Sequence, residues 1–218
     1  MNNGSMSSSS MTHTSPGSPV GSPGGVDLSL ARIEEAARLI DPVFLNSPQY
    51  SDDSLNAALG RQVVVKVEVA NPLRSFKGRG ADFLLSHVAP GPTIVCSSTG
   101  NFGQAMAYAG RRRGFAVEVF VPANINPVKR ARMESFGARV TAVGIDSTAA
   151  EASARDYAES TADCRYIEDG RDTEISEGAG TISMELLRSG PFDAVVVPVG
   201  DAALITGIAC WFKAHSPH

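Results

Sequence analysis

The chain has 218 residues, 43% of them hydrophobic, enough for one sizeable domain or two small ones. Its 19 Lys and Arg stand against 23 Asp and Glu, and a formal net charge of −4 argues against general nucleic-acid binding, which needs a concentrated positive surface. The longest strongly apolar runs, such as residues 194–199, are too short to cross a bilayer, so no membrane partner is expected. No apolar stretch of secretion-signal type precedes Arg32, the first positive side chain, and a cytoplasmic protein is expected.

Residues 1–25 are Ser, Gly, Pro and Asn with few large apolar groups, and predict a disordered tail that cannot offset its ordering entropy by burial. Residues 28–40 predict an amphipathic helix with Leu30, Ile33, Ala37 and Ile40 on one face, ended by Pro42. The β-branched run 63–69 predicts a strand broken by Asn71-Pro72, and 78–87 a helix.

From residue 93 onward strand and helix alternate. Strands are expected over 93–96, 115–121, 138–143, 164–168 and 194–199. Helices are expected over 102–113, 127–136, 148–160, 175–188 and 202–214. Such alternation with near-continuous apolar strands implies an α/β fold with a parallel sheet, whose ligands gather beyond the C-terminal strand ends.

The basic triplet Arg111-Arg112-Arg113 falls at the end of a helix, where cations suit the macrodipole, and reads as a solvated helix end. Three scattered cysteines, Cys96, Cys164 and Cys210, fit a reducing compartment and offer no zinc framework. Cys96 closes an apolar run and is expected to be a buried thiol. The four histidines form no metal-ligand pattern, so no metal is expected.

Three segments carry chemistry. The small-residue loop Ser97-Ser98-Thr99-Gly100-Asn101 precedes a helix, whose free N–H groups and positive dipole end suit a carboxylate or phosphate. Plain N-capping by Ser98 or Thr99 explains the same residues without a ligand. The loop Gly200-Asp201-Ala202-Ala203-Leu204 offers a second anion cradle, a weak one because Asp201 would repel a phosphate if turned inward. Neither loop matches the Walker or GxGxxG patterns, which weakens a nucleotide-binding reading. The third is Lys77, bracketed by Phe76 and Gly78. A lysine in an apolar pocket or beside another cation can form Schiff bases, whereas Lys77 and Arg79 together could equally be a basic turn.

Taken together and in this order, Lys66-Val67-Glu68, the run Ser75 to Ala81 (SFKGRGA), Ser97-Ser98-Thr99-Gly100-Asn101 and Val197-Pro198-Val199-Gly200 resemble the fold-type II pyridoxal-phosphate enzymes. The chain is most similar to the serine/threonine dehydratase-like branch, from about residue 28 to the C-terminus. The resemblance implies a three-layer parallel-sheet fold of the tryptophan synthase β-like type. Residues 26–218 would form the enzyme domain, with 93–160 a small subdomain and 26–92 and 161–218 parts of a large one.

It implies pyridoxal 5′-phosphate as cofactor, held by Lys77 as a Schiff base, with Lys77 later acting as acid and base. Phe76 would pack beside the ring and Asn101 bond its phenolic oxygen. Gly200, Asp201, Ala202, Ala203 and Leu204 would wrap the phosphate, and Ser97, Ser98, Thr99 and Gly100 would receive the substrate carboxylate. The implied reaction on serine- or threonine-like amino acids is α-proton loss and β-elimination of water, giving a keto acid and ammonia.

β-Replacement, threonine synthase-like chemistry and a non-catalytic relative that keeps the fold are the alternatives. The chain departs from the family at Asp201, Ala202 and Ala203, where glycines are usual. Family members continue past a point equivalent to His218, so the large domain is expected to be incomplete at the C-terminus. Homo-oligomers are usual in the family, and self-association is expected.

Overall fold

The computed structural model describes Met1 and residues 28–216, so the predicted tail over 1–25 lies outside the described residues except for Met1. Helix α1, Leu30–Leu39, buries Ile33 and Ala36, with Ile40 buried just past its end. Ala36 rather than Ala37 faces inward, a small rotation of the expected apolar stripe. Asp41 then accepts from the Val43 N–H and caps a 3-10 turn at Pro42–Phe44.

Strands β1, Gln49–Ser51, and β2, Val64–Lys66, form a small antiparallel ribbon. Helix α2, Asp53–Leu59, joins them, capped by Asp52 through the Leu55 N–H and stopped by Gly60 at φ 61°. Sequence periodicity anticipates neither β1 nor α2. The expected strand over 63–69 contracts to three residues because Asn71 draws the chain into a turn. Its side-chain amide donates to the carbonyls of Glu68 at 2.9 Å and Ser75 at 3.1 Å.

The main sheet is parallel, in the order β5-β4-β3-β6, from Thr93–Ser97 (β3), Val117–Val121 (β4), Arg139–Ala142 (β5) and Cys164–Tyr166 (β6). Helices α4 (Asn101–Arg113), α5 (Pro127–Ser135) and α6 (Ser147–Ser160) make the crossovers. Side chains alternate along the strands. Ile94, Cys96, Val117, Val119 and Val121 pack with Phe102, Met106 and Met133 of α4 and α5. Val95 and Phe120 point to the opposite face and pack with Ala154 and Tyr157 of α6.

The sheet therefore lies between two helical layers, as expected. The chain leaves β3 over one face and returns to β6 over the other, so the strand order reverses between β3 and β6. In an open α/β sheet the crevice at such a reversal, at the C-terminal strand ends, is the natural ligand position.

A further stack of helices extends from α4. Helix α3, Lys77–Ser86, packs on α4; α7, Thr173–Leu186, packs on α3 and α1; and α8, Ala203–His215, packs on α7. Glycines permit the close crossings. A Cβ on Gly80 would lie 2.5 Å from the Ile175 carbonyl oxygen, and one on Gly207 2.0 Å from that of Ser176. Among the described residues no helix is long and apolar enough to cross a membrane.

Two expectations are corrected. Residues 194–199 form no strand, although their composition is strongly apolar. Among the described residues no strand pairs with this segment to satisfy its N–H and C=O groups, and Val196 is 97% exposed. The arginine triplet is also more than a solvated helix end. Arg113 Nε lies 2.7 Å and Arg112 Nη1 3.3 Å from the fully buried Asp82 carboxylate, and Arg112 Nε reaches Asp41 at 2.8 Å. The C-terminal end of α4 is thereby fastened to α3 and to the turn after α1.

Candidate active site

Lys77 is the first residue of α3 rather than a loop residue before it. The turn leading to it is held by Asn71, whose Oδ1 accepts from the Leu73 and Ser75 N–H groups. The Ser75 hydroxyl accepts from the Lys77 N–H at 3.2 Å. These bonds fix the start of α3 at the crevice between β3 and β6.

The Lys77 side chain is only 12% exposed. Its Nζ donates to both oxygens of Asp169, at 2.8 and 2.6 Å. Asp201 Oδ2 stands 3.7 Å from the same nitrogen. The rings of Phe76 and Phe102 lie 5.3 and 5.9 Å from Nζ and help exclude water. Burial pushes the Asp169 carboxyl above its ordinary value; Lys77 pulls it back and Asp201 raises it further.

Asp169 comes from the loop after β6, and nothing in its sequence context singles it out. Next to it, Gly170 has φ 77°, and a Cβ there would lie 2.5 Å from the Asp201 carbonyl oxygen. The β6 loop and the loop before α8 thus touch directly. Glu168, on the other side of Asp169, accepts from Arg155 at 2.6 Å and Arg171 at 2.9 Å, which anchors this loop to α6.

A cavity of about 200 Å³ adjoins the amine, lined by Phe76, Lys77 and the segment from Pro198 to Leu204. The candidate residues Gly200, Asp201, Ala202, Ala203 and Leu204 all border it. Ala202 sits at φ 63°, a left-handed conformation that favours glycine, and immediately precedes α8 without a side-chain cap.

The other candidate loop lies at the start of α4. Ser97 Oγ donates to the Phe120 carbonyl at 3.3 Å, and Ser98 Oγ accepts from the Gly100 N–H at 3.1 Å. Thr99 and Gly100 are half-buried, and Asn101 opens the helix with its side chain exposed. No side chain caps α4, so the simple capping explanation for Ser98 and Thr99 does not hold. Ser97, Ser98, Thr99, Gly100 and Asn101 do not border the 200 Å³ cavity, yet Phe102 of the same helix overlooks Lys77.

Arg79 is no part of a basic turn. It is fully buried on the other side of α3, bonded to Glu68 at 2.9 and 3.0 Å, Glu185 at 2.6 and 2.9 Å, and Thr181 at 2.9 Å. Lys66 joins this network through Glu185 at 2.6 Å. Lys66-Val67-Glu68 therefore supports α3, and with it Lys77, without entering the crevice.

The donor set suits a pyridoxal phosphate. It combines a buried primary amine, flanking aromatic rings, and two uncapped helix N-termini able to receive anions. Asp201 is the one poor fit, and its side chain, 61% exposed, has open solvent into which to turn.

Comparison with known proteins agrees. The chain is 31% identical over 197 residues to serine racemase from Bos taurus, covering 87% of this chain and 59% of the relative. It is 35% identical over 193 residues to a biosynthetic L-threonine dehydratase of Mycobacterium tuberculosis, covering 84% and 44%. Among solved structures, a T.th. threonine deaminase superposes with a TM-score of 0.80 at 32% identity, covering 87% of this chain and 62% of that one. A pyridoxal 5′-phosphate-dependent aspartate racemase gives 0.81 at 29%, covering 89% and 61%. The chain thus spans roughly half the length of these curated relatives. Residues 40–218 match the family described as "Pyridoxal-phosphate dependent enzyme", and the chain belongs to that family, whose cofactor is pyridoxal phosphate.

Proposed function

We propose that this chain is a pyridoxal-phosphate-dependent lyase acting on serine- or threonine-like amino acids, with Lys77 as the Schiff-base lysine. The observation that carries the reading is the buried Lys77 Nζ at the sheet's switch point, facing a cavity beneath the start of α8. When bound, the cofactor would supply an electron sink through its pyridine ring for α-proton loss.

The residues around the amine support this reading. Lys77 would hold the cofactor and supply the amine that takes and returns the substrate α-proton. The segment opening α8, from Gly200 to Leu204, would hold the phosphate through its backbone N–H groups other than that of Ala203, which donates to the Asp201 carbonyl at 2.9 Å. The uncapped start of α4, with Ser97, Ser98, Thr99 and Gly100, would receive the substrate carboxylate, and Asn101 would bond the ring oxygen. Phe76 and Phe102 flank the amine and limit water at Nζ.

A second reading is amino-acid racemisation, favoured by relatives that are named serine racemase and aspartate racemase. Both reactions begin with α-proton loss and part at the next step, loss of the β-hydroxyl as water or return of a proton to the other face. The test is incubation of the full chain with pyridoxal phosphate and L-serine or L-threonine. Keto acid and ammonia are expected. D-serine without keto acid selects the racemase reading, turnover only with an added nucleophile selects β-replacement, and no turnover with any of these overturns the enzyme reading. The expected assembly is a homo-oligomer, and a small amino acid is the expected substrate.

A further inference from the structure

Among the polar groups around Lys77, Asp169 is the one that neither sequence pattern nor resemblance assigns. It is also the nearest. Both of its oxygens lie within 2.8 Å of Nζ, closer than the 3.7 Å to Asp201. Its side chain is 18% exposed, against 61% for Asp201. Its loop is pinned on one side by Glu168 to Arg155 and Arg171, and on the other by Gly170 against the Asp201 backbone. A carboxylate held this firmly on a single amine is placed for proton transfer with that amine.

The geometry points to Asp169 as the proton shuttle of Lys77, the group that takes a proton from Nζ when the amine attacks a carbonyl carbon. This rests on the Schiff-base reading of Lys77. A lysine ammonium has no lone pair, so attack on an aldehyde first needs one proton removed. Asp169 accepts that proton and becomes the neutral acid. The Nζ lone pair forms the C–N bond, and the carbonyl oxygen takes up a second Nζ proton. Asp169 then returns its proton to that oxygen, which departs as water as its C–O bond breaks. Overall, ammonium and aldehyde give a protonated C=N bond and one water, with Asp169 again a carboxylate beside a cationic nitrogen.

The titratable groups facing Asp169 are Lys77 of α3, Asp201 before α8 and the uncharged Cys96 thiol of β3. Burial and Asp201 both favour its protonated form, as a transient proton carrier needs. The same carboxylate serves whenever an amine is exchanged at this position, so its role extends to release of Lys77 by an incoming amino acid.

The test measures capture of pyridoxal phosphate by the full chain. Borohydride is added at timed intervals, and the reduced adduct on the Lys77 peptide is quantified by mass spectrometry across a pH series. Loss of general acid–base help predicts capture by Asp169→Asn about 100-fold slower than wild type, with a rate that keeps rising with pH as hydroxide replaces the carboxylate. Asp169→Glu should recover part of the rate, and formate should accelerate capture by Asp169→Gly, which a purely structural role would not produce. Thermal melting of each variant verifies that it is folded.

Capture by folded Asp169→Asn at the wild-type rate and with the wild-type pH profile overturns the shuttle while leaving the Schiff-base reading intact. Failure of Asp169→Glu and formate to restore slow capture also overturns it. Absence of any adduct on Lys77 in the wild-type chain overturns the Schiff-base reading itself, and the shuttle with it.

Discussion

Two side chains near the crevice illustrate how burial decides chemistry at the residue scale. Cys96 is fully buried on β3, and burial, aided by the nearby Asp169 charge, pushes its thiol up to about 12. It should therefore resist alkylation at neutral pH until the protein unfolds, whereas Cys164 and Cys210, partly exposed, should react first. Timed labelling with a thiol reagent and peptide mapping checks this; rapid labelling of Cys96 in the folded chain would contradict it.

Arg79 shows the opposite case, a buried charge kept in place by partners. Replacing it with Met would leave Glu68 without its ion-pair partner and Glu185 with Lys66 alone, and should cost about 3–5 kcal/mol, read as a lowered urea midpoint. Burial pushes Glu185 up, but Arg79 and Lys66 outweigh it and leave its carboxyl below the ordinary 4.5. A carboxyl depressed on folding adds stability at higher pH that is lost as pH falls from about 4.5 through its folded value. Glu185→Gln should remove that portion of the acid sensitivity, which unfolding curves at neutral and acid pH will show.

At the element scale, the closest contact is the crossing of α7 and α8. Gly207→Ala would drive a methyl group into the Ser176 carbonyl and should destabilise the chain by about 1–3 kcal/mol, seen as a lower melting temperature. Because α8 starts at the loop that lines the Lys77 cavity, the same change should also weaken cofactor retention. Elements with strong local signals were legible in the sequence, among them the crossover helices and the buried strands β3 and β4. Those set by tertiary pairing were not. β1 and α2 are short and carry no clear period, and α2 depends on the Asp52 cap and the Gly60 stop. The run over 194–199 shows the reverse failure, since apolar composition cannot form a strand without a neighbour.

At the scale of the whole molecule, the parallel order β5-β4-β3-β6 creates one switch-point crevice, and Lys77, Asp169 and the loop before α8 converge there. The two small-residue loops stood out in the sequence because strand-to-helix junctions carry recognisable residues, whereas Lys77 was singled out only by the resemblance. Asp169 could not be read from sequence, because a carboxylate after a three-residue strand resembles any surface turn until folding brings it against the amine. The sequence likewise left open a basic turn of Lys77 and Arg79, which the structure excludes because the two side chains leave α3 on different sides.

The central claim is that the amine of Lys77 is the group that joins this chain to its cofactor. It is tested by mixing the full chain with pyridoxal phosphate, reducing with borohydride and mapping the modified peptide, with Lys77→Ala as control. The reduced adduct is expected on Lys77 and should disappear in Lys77→Ala. An adduct confined to Lys66, Lys129 or Lys213, or one undiminished in Lys77→Ala, would contradict it.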